Sequence, residues 1–109
     1  MDVDAIFAAL GDPMRRRLLE QLSRQGPLTA TQLAQGYPVS RQAVVKHLTA
    51  LSGAGLLSAA RNGREVRYRV EPQLIEGAAA WLADVGARWD RRLGALQRQI
   101  AEAEPRPPG

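Results

Sequence analysis

The side chains best suited to chemistry in this sequence are cations, and they are concentrated in its middle. No Asp or Glu occurs between Glu20 and Glu65. The basic residues of that acid-free stretch are Arg24, Arg41, Lys46, Arg61 and Arg64. The chain as a whole has a formal net charge of +4. A surface that excludes anions and gathers cations predicts a polyanionic partner, and nucleic acid is the first candidate.

Catalysis and metal binding lack a suitable set of side chains. The sequence has no cysteine and one histidine, His47. No carboxylate lies near His47 in the sequence to orient it toward a serine, so no nucleophile–base pair is predicted. A lone histidine cannot complete a metal site either. We therefore expect a structural role for His47 and a protein that is not an enzyme and holds no metal or cofactor.

A helix with two contrasting faces is predicted after Ser40, a residue type favoured at helix N-caps. Val44, Leu48 and Leu51 recur at helical spacing and predict a buried stripe. The residues expected to contact DNA are the cap and the other side, namely Ser40, Arg41, Gln42, Val45, Lys46 and Thr49. A helix fits the major groove, where arginine and glutamine bind base edges and an exposed valine meets a thymine methyl. The alternative is an ordinary solvated helix face.

Two strands joined at Asn62-Gly63 are predicted to follow this helix. They span residues 56–61 and 64–70, and Asn-Gly is a strong signal for a type I′ hairpin turn. Along the second strand apolar residues alternate with charged ones, so one of its faces should be buried. Arg61 and Arg64 flank the predicted turn, and we expect both to contact DNA phosphates.

Helix signals account for most of the remaining chain. Further helices are predicted at residues 4–10, from Pro13 through Arg24, after Thr29, and from Pro72 to about Ala101. Asp12 and Thr29 are favourable N-caps, and Gln32 completes a capping box with Thr29. The fold class predicted is mainly α with a β-hairpin wing, a winged helix-turn-helix of about five helices. One domain over residues 1–103 and a disordered tail over residues 104–109 are expected.

The last helix carries an apolar stripe longer than a domain of this size can cover. The stripe residues recur at spacings of three or four, at Ala78, Leu82, Val85, Trp89, Leu93, Leu96 and Ile100. A near-heptad stripe is typical of helices that pair with one another. We therefore expect a second copy of the chain to cover most of it, in a homodimer whose interface includes Leu82, Val85, Trp89, Leu93 and Leu96.

Several segments, taken in order, resemble the ArsR-type winged helix-turn-helix repressors of bacteria. They are residues 9–19 (ALGDPMRRRLL), Leu33-Ala34, residues 39–48 (VSRQAVVKHL), Leu51, residues 55–57 (GLL) and residues 67–70 (RYRV). The resemblance covers residues 4–100. It implies a homodimer that binds a palindromic operator in double-stranded DNA and represses by occupying a promoter. It also implies that the terminal helices pair, which adds Ile6, Phe7 and Leu10 to the dimer interface.

The metal-sensing pattern of that family is missing here. Its Cys-x-Cys pair would fall at Thr29 and Thr31, and its other metal site needs a histidine on the last helix, where this chain has none. The resemblance therefore indicates the non-metal-sensing branch, whose effectors are diverse and include small molecules of unknown kind.

An alternative from another class is a winged-helix module that binds a protein and never touches DNA. Such a module would tolerate acidic residues on the outer face of the helix after Ser40, and this sequence has none there. No apolar run approaches the roughly 18 residues of a membrane span. The acidic start, Met1-Asp2-Val3-Asp4, is unlike a signal peptide. A cytoplasmic location is expected.

Overall fold

The computed structural model describes residues 2–103, which form five helices and three strands. In chain order the elements are α1 (Val3–Leu10), α2 (Pro13–Gln25), β1 (Leu28–Thr29), α3 (Ala30–Ala34), α4 (Arg41–Gly53), β2 (Leu57–Asn62), β3 (Glu65–Val70) and α5 (Pro72–Ala103). The predicted fold class, mainly α with a β-hairpin wing, is confirmed. The tail predicted to be disordered, residues 104–109, lies outside the described residues.

Side-chain caps begin the helices where the sequence predicts them. The Asp12 carboxylate accepts hydrogen bonds from the backbone N–H of Met14 at 2.8 Å and of Arg15 at 3.4 Å, which begins α2. Thr29 and Gln32 form the predicted capping box of α3. The Gln32 backbone N–H donates to the Thr29 hydroxyl at 3.1 Å, and the Thr29 backbone N–H donates to the Gln32 side-chain oxygen at 2.9 Å. Each cap satisfies backbone donors that a helix leaves unpaired at its first turn.

The three strands form one antiparallel sheet in the order β1-β3-β2. The β2–β3 hairpin is the predicted wing, whereas β1 has no counterpart among the predicted elements. Leu28 pairs with Tyr68 and Thr29 with Arg67. Two residues are too few to show the period-two pattern of a strand, so β1 depends on its pairing with β3 rather than on its own sequence.

The turn of the wing differs from the predicted type. Asn62 pairs with Glu65, so the two central residues of the turn are Gly63 and Arg64 rather than Asn62 and Gly63. Gly63 has φ of 64°, and within residues 2–103 positive φ values occur at glycines. A glycine with positive φ at the first central position is the type II′ arrangement, whereas type I′ would need positive φ at both. The prediction of a type I′ turn at Asn62-Gly63 is therefore wrong.

By compactness the chain divides into two units, the first ending at Ala78 and the second beginning at Ala79. The core of the first unit gathers residues from α1, α2, α3, α4 and β2, and its largest fully buried side chains are Ile6, Leu18, Leu22, Leu33, Val44, Leu48, Leu51 and Leu56. Leu74, Ile75 and Ala78, at the start of α5, pack against this core. The prediction of one domain over residues 1–103 stays a prediction.

The described part of the second unit, considered by itself, is the remainder of α5 as far as Ala103. None of the residues of α5 is buried. Its exposed large apolar side chains include Leu82, Trp89, Leu93, Leu96 and Ile100, each with about half of its surface or more accessible. These residues occupy the positions of the predicted near-heptad stripe.

Two glycines at the end of α4 provide a matched test of this local structure. Gly55 has φ of 84°, and a Cβ added there would lie 2.9 Å from Cδ2 of Leu74. Leu74 can move, but the backbone conformation remains unfavourable for a side chain, so Gly55→Ala should lower the free energy of unfolding by about 1–3 kcal/mol. Gly53 belongs to the helix, and a Cβ there would meet nothing within 4 Å.

Gly53→Ala should therefore leave the stability unchanged or raise it by up to about 1 kcal/mol, because alanine loses less backbone entropy in a helix. Urea denaturation of the two variants beside the parent protein measures both effects. Equal midpoints for the two variants would contradict the role assigned to Gly55.

Candidate nucleic-acid interface

The first turns of α4 present the predicted contact residues to solvent. The Ser40 hydroxyl accepts a hydrogen bond from the Ala43 backbone N–H at 3.1 Å and begins the helix. Val44, Leu48 and Leu51 are buried, so the opposite side of α4 faces outward. The predicted residues that are exposed are Ser40, Arg41, Gln42, Lys46 and Thr49. The outward side of α4 therefore carries two full positive charges, on Arg41 and Lys46, and the backbone N–H groups at the start of the helix add partial positive charge.

Val45 differs from its predicted placement as an exposed residue. It is half-buried and packs against the core of the first unit. The reason is geometric: Val45 lies between the buried and the outward sides of α4 and turns toward α3 and β3. It lines a groove with Thr31 of α3, Arg41 of α4, Arg64 of the wing turn and Tyr68 of β3. Only part of its side chain is accessible from solution.

A side-chain hydrogen bond joins α3 to α4 inside this groove. The Arg41 Nε–H donates to the Thr31 hydroxyl oxygen at 3.2 Å. Both residues are exposed. The bond connects positions ten apart in the chain, and no spacing rule for one helix predicts it. The groove also receives Arg64 and Glu65 from the wing, so α3, α4 and the wing border one concave surface.

The wing carries its two predicted cations at or beside its turn. Arg61 lies near the end of β2 opposite Val66, and Arg64 is a central residue of the turn. Both are exposed. Glu65, the one acid of the wing, forms a salt bridge with Arg67 in which oxygen and nitrogen are 3.2 Å apart. Arg67 therefore offsets the negative charge next to Arg64.

His47 connects α4 to α2. The Arg15 Nε–H donates to His47 Nδ1 at 3.3 Å, in a partly buried setting. This confirms a structural partner for His47, as predicted. The Asp12 cap lies on the same end of α2. Desolvation raises the pKa of the Asp12 carboxyl, but backbone hydrogen bonds from Met14 and Arg15, together with electrostatic interactions with His47 and Arg15, hold that pKa below its ordinary value. The cap of α2 therefore stays charged at neutral pH.

A further hydrogen bond holds the turn before α4, and no sequence pattern identifies its two partners. The Tyr37 hydroxyl, in the turn between α3 and α4, donates to the Gln21 side-chain oxygen at 3.0 Å. The bond holds the turn against α2, and Tyr37 itself packs against the core. An aromatic residue beside a proline suggests a packed turn, but only the folded chain identifies Gln21 as its partner.

The predicted dimer residues have different surroundings. Ile6 is fully buried in the core of the first unit. It is therefore a core residue and has no surface left for a partner chain, which corrects its predicted role. Phe7 is exposed over 37% of its surface, and Leu10 is half-buried against the core. On α5, Val85 is half-buried, whereas Leu82, Trp89, Leu93 and Leu96 are exposed.

Residues 2–103 contain no cluster of three or more His, Cys, Asp or Glu side chains placed to hold a metal ion. Within the same range, no helix combines the length and the apolar character that crossing a membrane requires.

Comparison with known proteins identifies the relatives of this chain. A family described as helix-turn-helix domain matches residues 10–58. The HTH-type transcriptional regulator Rv2034 of Mycobacterium tuberculosis is 38% identical over 90 residues, which cover 83% of this chain and 80% of that protein.

Solved structures show the same likeness. An ArsR-like transcriptional regulator from Rhodococcus sp. RHA1 has a TM-score of 0.78 and 44% identity, and the match covers 94% of each chain. The homodimeric winged helix-turn-helix DNA-binding domain of Mb0332 from Mycobacterium bovis has a TM-score of 0.61 and 27% identity, with 84% of this chain and 81% of that chain covered.

Proposed function

Since this chain belongs to the ArsR family of winged helix-turn-helix DNA-binding transcriptional regulators, we propose that it is a homodimeric repressor that binds a palindromic operator. The observation that carries this proposal is the joint exposure of cations on the first turns of α4 and on the wing. A Bacillus subtilis relative is named as a transcriptional repressor, which supports the sign of regulation. Such a protein acts by occupying DNA, and no catalytic step belongs to the proposal. We place it in the cytoplasm, with the operator.

In the proposed complex α4 enters the major groove with its first turns against the base edges. Arg41 and Gln42 begin the helix and are its foremost polar side chains. Arginine pairs with guanine through two hydrogen bonds, and glutamine pairs with adenine in the same way. Ser40, Lys46 and Thr49 lie within the same outward surface and are suited to phosphate oxygens. The accessible part of Val45 is available to a thymine methyl.

The wing has a different task in this proposal. Arg61 and Arg64 stand at or next to the turn that joins the two strands of the wing, and both are exposed. Contacts with phosphates add affinity that depends on salt and carry little sequence information. We therefore assign specificity to α4 and sequence-independent affinity to the wing.

The separate contributions of α4 to base specificity and of the wing to sequence-independent affinity can be measured directly. Arg41→Ala should cost about 1–3 kcal/mol of discrimination at one base pair of each half-site, because it removes a hydrogen-bonding partner of the base. The double variant Arg61→Ala/Arg64→Ala should bind operator DNA and random DNA more weakly, by the same factor. It should also reduce the slope of log K against log salt by about one for each phosphate that the variant no longer binds.

Titration of DNA selected from a random library by the parent protein, at several salt concentrations, tests both variants. Glu20→Ala, on the exposed side of α2, serves as a charge-changing control outside the proposed surface. An unchanged salt slope in the double variant would show that the wing points away from DNA. Unchanged base preference in Arg41→Ala would refute readout by this helix.

The proposed homodimer rests on the exposed apolar residues of α5. Leu82, Trp89, Leu93 and Leu96 leave a large apolar surface in contact with water. Contiguous exposed apolar patches of this kind mark interaction sites, and burying the exposed half of each such side chain contributes about half of the 1.5–3 kcal/mol that full burial gives. Their near-heptad spacing suits a second helix of the same kind. Phe7 and Leu10 stay in the proposed interface, and Ile6 leaves it.

A two-fold dimer also explains the expected operator. It would present two copies of α4 to successive major grooves, about 34–36 Å apart, and so require a site with two-fold symmetry. A single copy binds one half-site and lacks the higher affinity that results when a second, linked copy binds the other half-site.

Leu93→Asp should convert the dimer into a monomer and abolish specific DNA binding, because it places an unpaired charge in the proposed seam. Arg41 and Lys46 are untouched by this change. Ala87→Asp, on an exposed position of α5 outside the apolar stripe, adds the same charge to the same helix and should leave both properties intact. On the same samples, sedimentation measures the association state, circular dichroism verifies folding, and DNA titration measures the affinity for the operator. A folded Leu93→Asp monomer with the affinity of the parent protein would refute the dimer.

We also propose that release from DNA depends on an effector other than a metal ion, such as a small molecule. The chain has no cysteine. Threonine hydroxyls stand at positions 29 and 31, and His47 Nδ1 already accepts a hydrogen bond from Arg15. Zinc sites in proteins use three or four nitrogen, sulfur or carboxylate ligands.

One relative, from Pseudomonas putida, is named for arsenic resistance, so the question needs a test of its own. Zinc, cadmium and arsenite at low micromolar concentration should leave the protein–operator complex intact in a mobility-shift titration. A cysteine-containing arsenic-responsive relative, treated in parallel, shows that the reagents are active. Dissociation at one metal ion per subunit, without aggregation, would assign this chain to the metal-sensing branch instead.

A further inference from the structure

The hydrogen bond between α3 and α4 assigns a task to a residue that the proposed DNA surface does not otherwise include. The Arg41 guanidinium donates its Nε–H to Thr31 Oγ at 3.2 Å. We propose that Thr31 is a positioning residue, which holds Arg41 so that its two terminal amino groups face a guanine. This inference rests on the proposed function, because it concerns how the same surface discriminates between bases.

The chemistry of the guanidinium explains why one bond has this effect. Arginine can bind a pair of acceptors either through Nε and one terminal nitrogen or through both terminal nitrogens. The Thr31 hydroxyl occupies the Nε–H and thereby removes the first mode. The fork of the two terminal nitrogens remains, and its geometry matches O6 and N7 of guanine in the major groove.

The position of Thr31 makes this bond effective when DNA is bound. In the free protein both side chains are exposed, and a hydrogen bond that competes with water contributes little. Thr31, Arg41 and Val45 line the groove that also receives Arg64 from the wing. A duplex seated against α4 and the wing would cover this groove and exclude water, and the bond becomes stronger in those surroundings.

The expected size of the effect follows from side-chain ordering. When DNA covers the groove, the bond to Thr31 offsets part of the cost of ordering Arg41 against a base, and ordering a long side chain costs about 0.5–1.5 kcal/mol. Removing the acceptor should therefore reduce the preference for guanine by about 2- to 10-fold. The reduction should be smaller than that caused by Arg41→Ala, which deletes the base-binding group itself.

Thr31→Val tests the inference, since valine keeps the shape and the branched β-carbon of threonine and lacks the acceptor. The DNA is the duplex selected by the parent protein from a random library, together with its single-base variants. Thr31→Val should lower the guanine preference at the base pair that Arg41→Ala also affects. Thr31→Ser, which keeps the hydroxyl, should restore it. Arg64→Ala is the control, because it should weaken all duplexes equally without changing the preference.

A double variant separates positioning from direct contact. In an Arg41→Ala background, Thr31→Val should have no further effect on DNA binding. A loss of affinity that persists in that background and is equal for all sequences would show that Thr31 itself binds phosphate, which would overturn the inference. Full guanine preference in Thr31→Val would overturn it as well. If the parent protein selects no sequence at all, the proposed function fails; if Arg41→Ala changes the preference and Thr31→Val does not, only the role of Thr31 fails.

Discussion

Burial of Val44, Leu48 and Leu51 fixes the rotation of α4 about its own axis, and the proposed interface depends on that rotation. Each of these side chains contributes about 1.5–3 kcal/mol by leaving water. A turn of the helix by even one residue would expose part of the stripe. The outward direction of Arg41 and Lys46 is therefore set first by the core, and for Arg41 the hydrogen bond to Thr31 adds to it. A protein that must hold charges ready for a polyanion needs this kind of support, because those charges repel one another before the partner arrives.

The elements around α4 support it from three sides. Arg15 of α2 donates to His47, Tyr37 holds the turn before α4 against Gln21, and Thr31 of α3 accepts from Arg41. None of these bonds is strong alone, since a typical one contributes about 1 kcal/mol. The bonds of Tyr37 and Arg41 restrain the beginning of the helix, where the side chains proposed to bind base edges are located, and the bond of His47 restrains its middle. The wing is restrained differently, through the pairing of β3 with strands on both of its sides.

Charge and apolar surface are separated along the chain, which suits a protein with two kinds of partner. The acid-free stretch ends within the wing, and the exposed apolar residues are concentrated in the later part of α5. Leu74 and Ile75 anchor the beginning of that helix in the core of the first unit, whereas Leu93 and Leu96 face solvent. One helix thus serves the fold at its start and offers a surface for association beyond it.

The sequence by itself determined the features that depend on neighbours within a few residues. The caps at Asp12, Thr29 and Ser40, the buried stripe of α4 and the outer face opposite to it follow from helical spacing and short-range hydrogen bonds. Features that depend on distant residues were decided by the tertiary structure. These include the pairing of β1 with β3, the register of β2 on β3 that places Gly63 and Arg64 in the turn, the burial of Ile6 and of part of Val45, and the Thr31–Arg41 bond. The physical reason is that a local pattern identifies which face of an element is apolar, whereas the partner that covers that face, or bonds to its polar edge, is known only when the elements are packed together.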